Sequence, residues 1–136
     1  MPFKIGLTPQ GTLQPCAESS NCVCSQGTSD PNHAIEPLHL ESDPARAKAD
    51  LTNVLAQLPR TRIVEQQENY WHVEFRSRIF GFVDDVEFLF DPANALIHVR
   101  SASRVGTYDW GVNRRRVETI RRMFASRAAR AFAAAA

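Results

Sequence analysis

The sequence predicts a single α+β domain: an antiparallel sheet of about four strands with two helices on one face. Three observations support this. Two segments carry apolar residues at helical spacing, four segments between them are rich in β-branched and aromatic residues, and short polar turns separate those four. Short connections favour antiparallel pairing, because parallel strands need a longer crossover. At 136 residues, the chain suits one hydrophobic core.

The first helix is predicted from Pro44 to Leu58. Asp43 can accept hydrogen bonds from the free backbone amides, and Pro44 suits the first helical position. Pro59 ends the run. Before this helix, residues 1–40 are rich in Pro, Ser, Gly, Thr and Asn and have no sustained period, so they are predicted to form an irregular arm of the domain.

A second helix is predicted from about Val112 to Arg127, with Asp109 or Asn113 as its cap. Its apolar positions are Val112, Val117, Ile120 and Phe124. The α+β domain proper is therefore expected over residues 41–130. Residues 131–136 are expected to be a frayed Ala-rich tail.

Four strands are predicted in the middle of the chain, and alternation assigns their faces. They are Thr61 to Gln66, Tyr70 to Phe80, Val83 to Phe90 and Leu96 to Arg104. The core positions are predicted to be Trp71, Val73, Phe75, Ile79, Phe82, Val86, Phe88, Phe90, Ile97 and Val99. The other face is polar, with Tyr70, His72, Glu74, Arg76, Arg78, Asp85, Glu87, His98, Arg100 and Arg104.

Asp84 and Asp85 are adjacent, so they point to opposite faces of one strand and cannot act together as an acid and a base there. Asp84 falls on the apolar side, where an unpaired carboxylate is costly. We expect an arginine from SASRVG or GVNRRR as its partner. Such a pair is either a structural ion pair or part of a binding site.

The segment after the last strand combines arginines, serines and a turn before a helix, which are the components of an anion site. The candidate ligand-binding residues are Asp84, Asp85, Arg100, Ser101, Ser103, Arg104 and Asn113. In the alternative interpretation, Arg100 and Arg104 form a cross-strand ladder with Asp85, Glu87 and Glu74 on a solvated sheet face.

Charge is distributed unevenly along the chain. From residue 105 onward there are seven arginines and two acidic residues, a formal charge of +5 that leaves −4 on the preceding residues, since the whole chain carries +1. This asymmetry favours a protein partner with an acidic surface. The candidate partner-binding residues are Arg114, Arg115, Arg121 and Arg122. A solvated basic helix is the alternative, and nucleic acid is not expected, because few aromatic residues accompany the arginines.

Several classes of function have no support in the sequence. Cys16, Cys22 and Cys24, with His33 and His39, lack the spacing of a known zinc site, so no metal is predicted; the alternatives are free thiols in a loop, or a Cys16–Cys22 disulfide if the protein is exported. Common catalytic motifs are absent, and no cofactor is predicted. No signal peptide or transmembrane stretch is seen, and a cytoplasmic location is expected.

The runs FVDDVEFLFD, IHVRSASRVG and YDWGVNRRRVE, with CAESSNCVCS and DPNHAIEPL upstream, resemble an uncharacterised bacterial and plastid family, domain of unknown function 1499. The resemblance covers Cys16 to Arg122. It implies domain boundaries rather than a mechanism, and it implies homologues in photosynthetic organisms, some with membrane anchors. Cys24 departs from the family pattern, which has Ser or a similar residue at that position.

Together these features predict a non-enzymatic binding or accessory protein that docks an acidic partner through its Arg-rich surface. Such a protein could be a subunit of a larger membrane-associated assembly, with membrane association through the partner. The alternative is a protein for a small anionic ligand, or an enzyme, with a pocket around Asp84, Arg100 and Arg104.

Overall fold

The computed structural model describes residues 5–19, 21–106 and 108–135, with side chains up to residue 130. Within these residues, one six-stranded sheet and two α-helices form the predicted α+β domain, with two more strands than predicted. The elements in chain order are β1 (Cys22–Cys24), β2 (Leu38–His39), α1 (Pro44–Gln57), β3 (Thr61–Gln66), β4 (Tyr70–Arg76), β5 (Val83–Asp91), β6 (Leu96–Ser103) and α2 (Val112–Ala135).

The strands pair antiparallel in the order β1-β6-β5-β4-β3, and β2 also pairs with β6. The two extra strands, β1 and β2, come from the predicted irregular arm. They are only three and two residues long, too short to show an alternating pattern in the sequence. Pairing with β6 therefore defines them: Cys22 lies opposite Ala102 and Leu38 opposite Ile97.

Both helices pack on one face of the sheet and form the main core with it. The Asp43 carboxylate accepts a hydrogen bond from the Arg46 amide at 3.0 Å, which confirms the predicted start of α1. Helix α2 extends to Ala135, beyond the predicted end; Ala136 of the predicted tail lies outside the described residues. The largest core side chains are Trp71, Phe88, Leu38, Leu51, Ile97 and Ile120. Among the described residues, neither helix has the length and apolar character that a membrane span requires.

Strand β4 ends at Arg76, so the prediction that it continues to Phe80 is wrong. The Ser77 amide donates to the Phe82 carbonyl at 2.7 Å and closes a loop, which ends the alternation. Gly81, at a φ of +65°, supplies the left-handed conformation that this loop needs. Ile79 and Phe82, predicted as core residues, are instead 81% and 51% exposed.

Around Tyr70 and Glu87 the polar sheet face is buried rather than solvated, because the N-terminal arm covers it there. The Gly6 amide donates to Glu87 Oε2 at 2.9 Å, and Leu13 packs with Tyr70 and Cys24 in a second, smaller apolar cluster. Residues 5–16 therefore form a third layer over the sheet. Charged side chains on this face must find partners within the protein, since burial without a partner is costly.

Candidate functional site

Asp85 is the centre of a buried ion-pair network on the arm-covered face. Its side chain is fully buried and lies 2.6 Å from His72 Nε2, while Arg104 donates to both of its oxygens at 2.6 and 2.9 Å. Arg104 also donates to Glu74 at 2.6 Å. Burial alone would raise the pKa of Asp85, but hydrogen bonds from His72 and Arg104 prevail and lower it. The bond to Asp85 raises the pKa of His72.

Glu87 is the second buried carboxylate on the same face. It accepts hydrogen bonds from Arg100 at 3.2 Å, from the Tyr70 hydroxyl at 2.5 Å and from the Gly6 amide at 2.9 Å. Burial and the bond to Glu87 both raise the pKa of Tyr70 far above its ordinary value. The cross-strand ladder that the sequence offers as an alternative is therefore present, and at its Glu87 end it is buried and bonded to the arm through the Gly6 amide.

The side chains of His72, Glu74 and Asp85 lie close enough to suggest a metal site, with one ligand atom of each within 4.8 Å of the others. The Arg104 guanidinium already occupies one oxygen of Glu74 and both oxygens of Asp85. A divalent cation would have to displace that positive charge, so the donor set fits an ion pair better than a metal. The network accounts for these residues as a structural unit.

The cysteines do not form a thiolate cluster. Cys16 and Cys22 form a disulfide, which removes both thiolates as ligands. Cys24 is a buried free thiol, and burial raises its pKa. The His33 ring hydrogen-bonds to the Cys22 carbonyl at 3.0 Å. This arrangement matches the disulfide alternative of the sequence analysis.

Ser25, His98 and Asp91 come together beside β5 and β6 in a way that resembles a triad. Ser25 Oγ lies 3.3 Å from His98 Nδ1 and accepts the Val99 amide at 2.8 Å. His98 Nε2 lies 3.6 Å from Asp91, which is too long for a hydrogen bond. The serine thus fastens the β6 backbone, and we assign no catalytic role here.

On the helix-covered face, Asp84 pairs with Arg116, whose guanidinium lies 2.8 Å from the carboxylate. This confirms that an arginine of GVNRRR is its partner. Arg116 also donates to Asn113 at 3.0 Å and lies over the Phe75 ring at 4.9 Å. Because Arg116 belongs to α2 and Asp84 to β5, the pair joins the helix to the sheet.

Asn113 connects the start of α2 to the sheet. Its side-chain amide donates to the Asn21 carbonyl, to Ser103 Oγ and to Asp109, and its oxygen accepts from Ser101 Oγ at 2.6 Å. Burial would raise the pKa of Asp109, but bonds from Asn113 and Gly111 lower it. Ser101 and Asn113 are fully buried, so their polar atoms are used within the fold.

The seven candidate ligand-binding residues therefore do not converge on one site. Asp85, Arg100 and Arg104 lie on the sheet face that carries the arm, with Arg104 itself exposed, whereas Asp84, Ser101, Ser103 and Asn113 lie on the face packed against α2. A pocket shared by Asp84, Arg100 and Arg104 would have to cross the sheet. Of the seven, only Asp84 borders the groove described next.

The groove lies between the α1–β3 connection, the end of β4 and the first turns of α2, and it encloses about 390 Å³. Its apolar part is formed by Leu58, Pro59, Phe75 and Val112. Its polar part is formed by Arg60, Arg76, Ser77, Asp84, Arg115, Arg116 and Thr119. We call it the arginine groove. Four arginines and one carboxylate give its lining a formal charge of +3.

Three of the groove arginines keep most of their hydrogen-bonding capacity. Arg60 donates to the Arg76 carbonyl at 3.1 Å, Arg76 to the Gly81 carbonyl at 3.1 Å, and Arg115 to the Trp110 carbonyl at 2.8 Å. Within the part of the chain that the structure describes, none of the three forms an ion pair. Each guanidinium has five N–H donors, so each can still bind an anion.

Two of the four candidate partner-binding arginines are used internally. Arg114 donates to the carbonyls of Ala34 and Pro31 at 3.0 and 3.1 Å, and Arg121 to those of Pro37 and Glu36 at 2.6 and 2.7 Å. Both hold residues 31–37 against α2. Arg115 lines the arginine groove, and Arg122 is exposed, with a 3.3 Å bond to Thr119.

Arg60 and Arg76 are not among the predicted binding residues, and Arg116 enters only as one of the GVNRRR arginines that could pair with Asp84. A signal for the first two was available. Strands β3 and β4 are joined by a short turn, so Arg60 and Arg76 are expected near each other across the pair; they flank the Thr61–Phe75 pair, after a register shift between Ile63 and Glu65. No pattern in the chain indicates that Arg116 approaches them, because α2 is placed only by tertiary packing.

The fold and the groove define a small α+β protein with a basic, partly apolar cleft at one end of its sheet. The chain belongs to the family described as Protein of unknown function (DUF1499), whose model matches residues 12–124 of 136 and confirms the resemblance seen in the sequence. No curated protein and no solved structure matches the chain.

Proposed function

We propose that this protein is a non-enzymatic binding protein that holds an anionic ligand in the arginine groove. The observation that carries the proposal is the convergence of Arg60, Arg76 and Arg115 on one cleft without a carboxylate for each. Arginine suits the recognition of carboxylate, phosphate and sulfate, because its planar fork can donate two parallel hydrogen bonds. The ligand class is therefore an anion.

The apolar part of the groove indicates which kind of anionic ligand fits. Leu58, Pro59 and Val112 line the cleft beside the arginines, while Arg116 covers the buried Phe75 ring and pairs with Asp84. A simple inorganic ion would leave the apolar wall uncovered. We infer that the ligand carries its anionic group on an apolar body, since ligand pockets combine apolar walls with a few polar groups.

The backbone at Arg60 supports a binding role. Its φ is +54°, in the left-handed region that glycine favours, and an arginine there costs folding free energy. The guanidinium makes one bond, to the Arg76 carbonyl, so little in the fold requires this side chain. Ligand recognition would account for an arginine at a position that favours glycine.

The test uses two related probes with the full chain, followed by calorimetry and fluorescence. Anilinonaphthalene sulfonate carries an anionic group on an aromatic body, and N-phenylnaphthylamine lacks the anionic group. Arg60→Gly and Arg115→Gln should each weaken binding of the sulfonate about tenfold, the scale of one charge-assisted hydrogen bond, and leave binding of the amine unchanged. Arg60→Gly should also keep or raise stability, which separates binding from folding.

Arg122→Gln is the matched control, because Arg122 belongs to the same helix as Arg115 but does not line the arginine groove. It should bind the sulfonate like the wild type. Equal affinity of the wild type for the two probes, or equal loss in Arg122→Gln and Arg115→Gln, would reject the proposal. Docking of an acidic protein partner stays a prediction; of the four arginines predicted to contact that partner, Arg115 and Arg122 are exposed.

We further propose that the protein works in an oxidising compartment rather than in the cytoplasm expected from the sequence. The Cys16–Cys22 disulfide supports this, because such bonds persist mainly outside reducing compartments. Thiol titration of the unfolded native protein should count one thiol, that of Cys24, before reduction and three afterwards. Three thiols in protein taken from its native host would contradict it.

A further inference from the structure

The exposed apolar side chains are concentrated in two segments. Among the described residues, nine large hydrophobic side chains are exposed, and seven of them come from residues 77–82, 104–106 and 108–112, which we call the apical loops. Those seven are Ile79, Phe80, Phe82, Val105, Tyr108, Trp110 and Val112. Ile79 and Trp110 are the most exposed of them, at 81% and 76%. Clusters of this kind mark interaction surfaces, since isolated exposed residues need no explanation.

The apical loops leave the same end of the sheet. Val83, the first residue of β5, lies opposite Arg76 at the end of β4, and its carbonyl accepts the Arg104 amide at 3.2 Å just after β6. The loop that precedes Val83 and the loop that begins at Arg104 are therefore neighbours. The two segments form one apolar surface although they are separated by more than twenty residues in the chain.

Within this surface, the aromatic rings pack mainly in pairs of the same loop. Phe80 stacks on Phe82 with ring centroids 5.4 Å apart, and Tyr108 meets Trp110 edge-on at 4.9 Å. Trp110 has a φ of +56°, a left-handed conformation that costs free energy in a residue other than glycine. Neither pair is part of the two apolar clusters of the core.

Positive charge surrounds the apical loops. Arg78 lies within the first loop and is exposed, while Arg76 and Arg115 lie beside the loops at the edge of the arginine groove. The first loop contains no acidic residue, and the single acidic residue of the second, Asp109, accepts hydrogen bonds from Gly111 and Asn113. The surface is thus apolar at its centre and cationic at its border.

We propose that the apical loops insert into the interface of an anionic phospholipid bilayer. Trp, Tyr and Phe favour the boundary between headgroups and acyl chains, because their rings are apolar and the first two carry a polar edge. Arginines beside them attract anionic headgroups. Binding of this kind combines buried apolar area with electrostatic attraction, and the apical loops provide both.

This inference goes beyond the proposed function and does not depend on it. Ser77 and Val112 belong to the apical loops and also line the arginine groove, so the groove opens beside the membrane-facing surface. Insertion would bring the groove to the level of the headgroups. An anionic group on an apolar body is what a membrane would present there.

The experiment measures co-sedimentation of the full chain with vesicles of phosphatidylcholine mixed with phosphatidylglycerol, and with vesicles of phosphatidylcholine alone. We expect binding to the mixed vesicles and little to the neutral ones. The two tryptophans allow a second reading. Trp71 is 2% exposed and Trp110 is 76% exposed, so a blue shift of the emission on binding reports that Trp110 has left water.

Ile79→Ser combined with Phe80→Ser should weaken sedimentation at least tenfold, because burying one large apolar side chain is worth about that factor. Val64→Ser is the matched control: Val64 is exposed to 41%, but it lies in β3, outside the apical loops. That variant should sediment like the wild type. The double variant should still bind anilinonaphthalene sulfonate if the groove proposal holds.

Three results would overturn the inference: no sedimentation with the mixed vesicles, equal sedimentation of the wild type and the double variant, or an unshifted emission in the bound protein. A dimer in solution that the double variant abolishes, without vesicle binding, would assign the surface to a second copy of the chain. If the protein binds vesicles but not the sulfonate probe, only the groove proposal is rejected. If it binds the probe but not vesicles, only the membrane proposal is rejected.

Discussion

Arginines on the two faces of the sheet are used in different ways. On the arm-covered face, Arg100 and Arg104 pair with the buried carboxylates Glu87 and Asp85. In the arginine groove on the other side, Arg60 and Arg115 donate to backbone carbonyls and keep donors for a ligand. The difference teaches that the supply of carboxylates decides whether an arginine here stabilises the fold or remains able to bind.

Removing the buried carboxylate at the centre of the network should destabilise the protein most. Asp85→Asn would leave His72 and Arg104 without their buried negative partner, so the free energy of unfolding should fall by about 3 kcal/mol or more. Urea denaturation followed by circular dichroism measures it. Glu68→Gln, at an exposed turn position, should change stability by less than about 0.5 kcal/mol. An equally small change for Asp85→Asn would show that the network does not stabilise the fold.

A pair of neighbouring arginines sharpens the comparison within one helix. Arg121→Ala removes two hydrogen bonds to the carbonyls of Glu36 and Pro37 and should lower the free energy of unfolding by roughly 1 to 3 kcal/mol. It should also speed proteolysis near residues 31–37. Arg122→Ala, at the next and exposed position, should leave both measurements near the wild type. Similar losses in both variants would contradict the division between internal and exposed arginines.

The pH dependence of stability tests the His72–Asp85 bond. The pKa of His72 is raised in the folded protein, so its contribution is complete below about pH 6.5, the ordinary value, and is lost as the pH rises through the raised value. The pKa of Asp85 is lowered, so its contribution is present above about pH 3.9 and is lost as the pH falls through the lowered value.

The free energy of unfolding should therefore fall at alkaline pH, as His72 loses its proton, and at acid pH, as Asp85 gains one. Each fall should be smaller than the loss caused by Asp85→Asn. Denaturation of His72→Gln across the same pH series is the control, since it should lack the alkaline decline attributed to His72 and keep part of the acid one. An alkaline decline of unchanged size in His72→Gln would assign the titration to another group.

The smallest expected effect concerns the groove. Arg76→Gln and Arg115→Gln remove exposed side chains that each make one bond to a backbone carbonyl, so each should shift the free energy of unfolding by no more than about 0.5 kcal/mol. Urea denaturation of the single variants measures this. If either variant lowered the free energy of unfolding as much as Asp85→Asn, the groove arginines would stabilise the fold as the buried network does, and the two regions would not differ.

Local chemistry was sufficient for most of the elements. Helix α1 follows from the Asp43 cap and from apolar spacing, and β3 matches its predicted bounds, Thr61–Gln66. The sequence also predicts that Asp84 needs an arginine, because alternation places its carboxylate on the apolar face. These predictions succeed because they depend on neighbours within a few residues.

Predictions failed at one tight loop and where distant segments meet. Alternation continued past Arg76 predicts a longer strand, but the loop closed by Ser77 and Phe82 ends the pairing. The sequence does not predict that the arm covers the sheet, because its contacts with Glu87, Tyr70 and Cys24 join residues that are far apart in the chain. That part of the polar sheet face therefore looks solvated in the sequence and is buried in the fold.

The amino-acid order alone sets the number of positive charges, their concentration after residue 105, and which strand positions carry opposite charges. Which of these arginines find a partner within the protein depends on how the helices and strands pack. Arg116 meets Asp84, and Arg114 and Arg121 meet the carbonyls of residues 31–37, because α2 packs beside β1 and β6. Arg60, Arg76 and Arg115 then remain around one cleft. Ion pairing depends on distances of a few ångströms, and packing sets those distances rather than order in the chain.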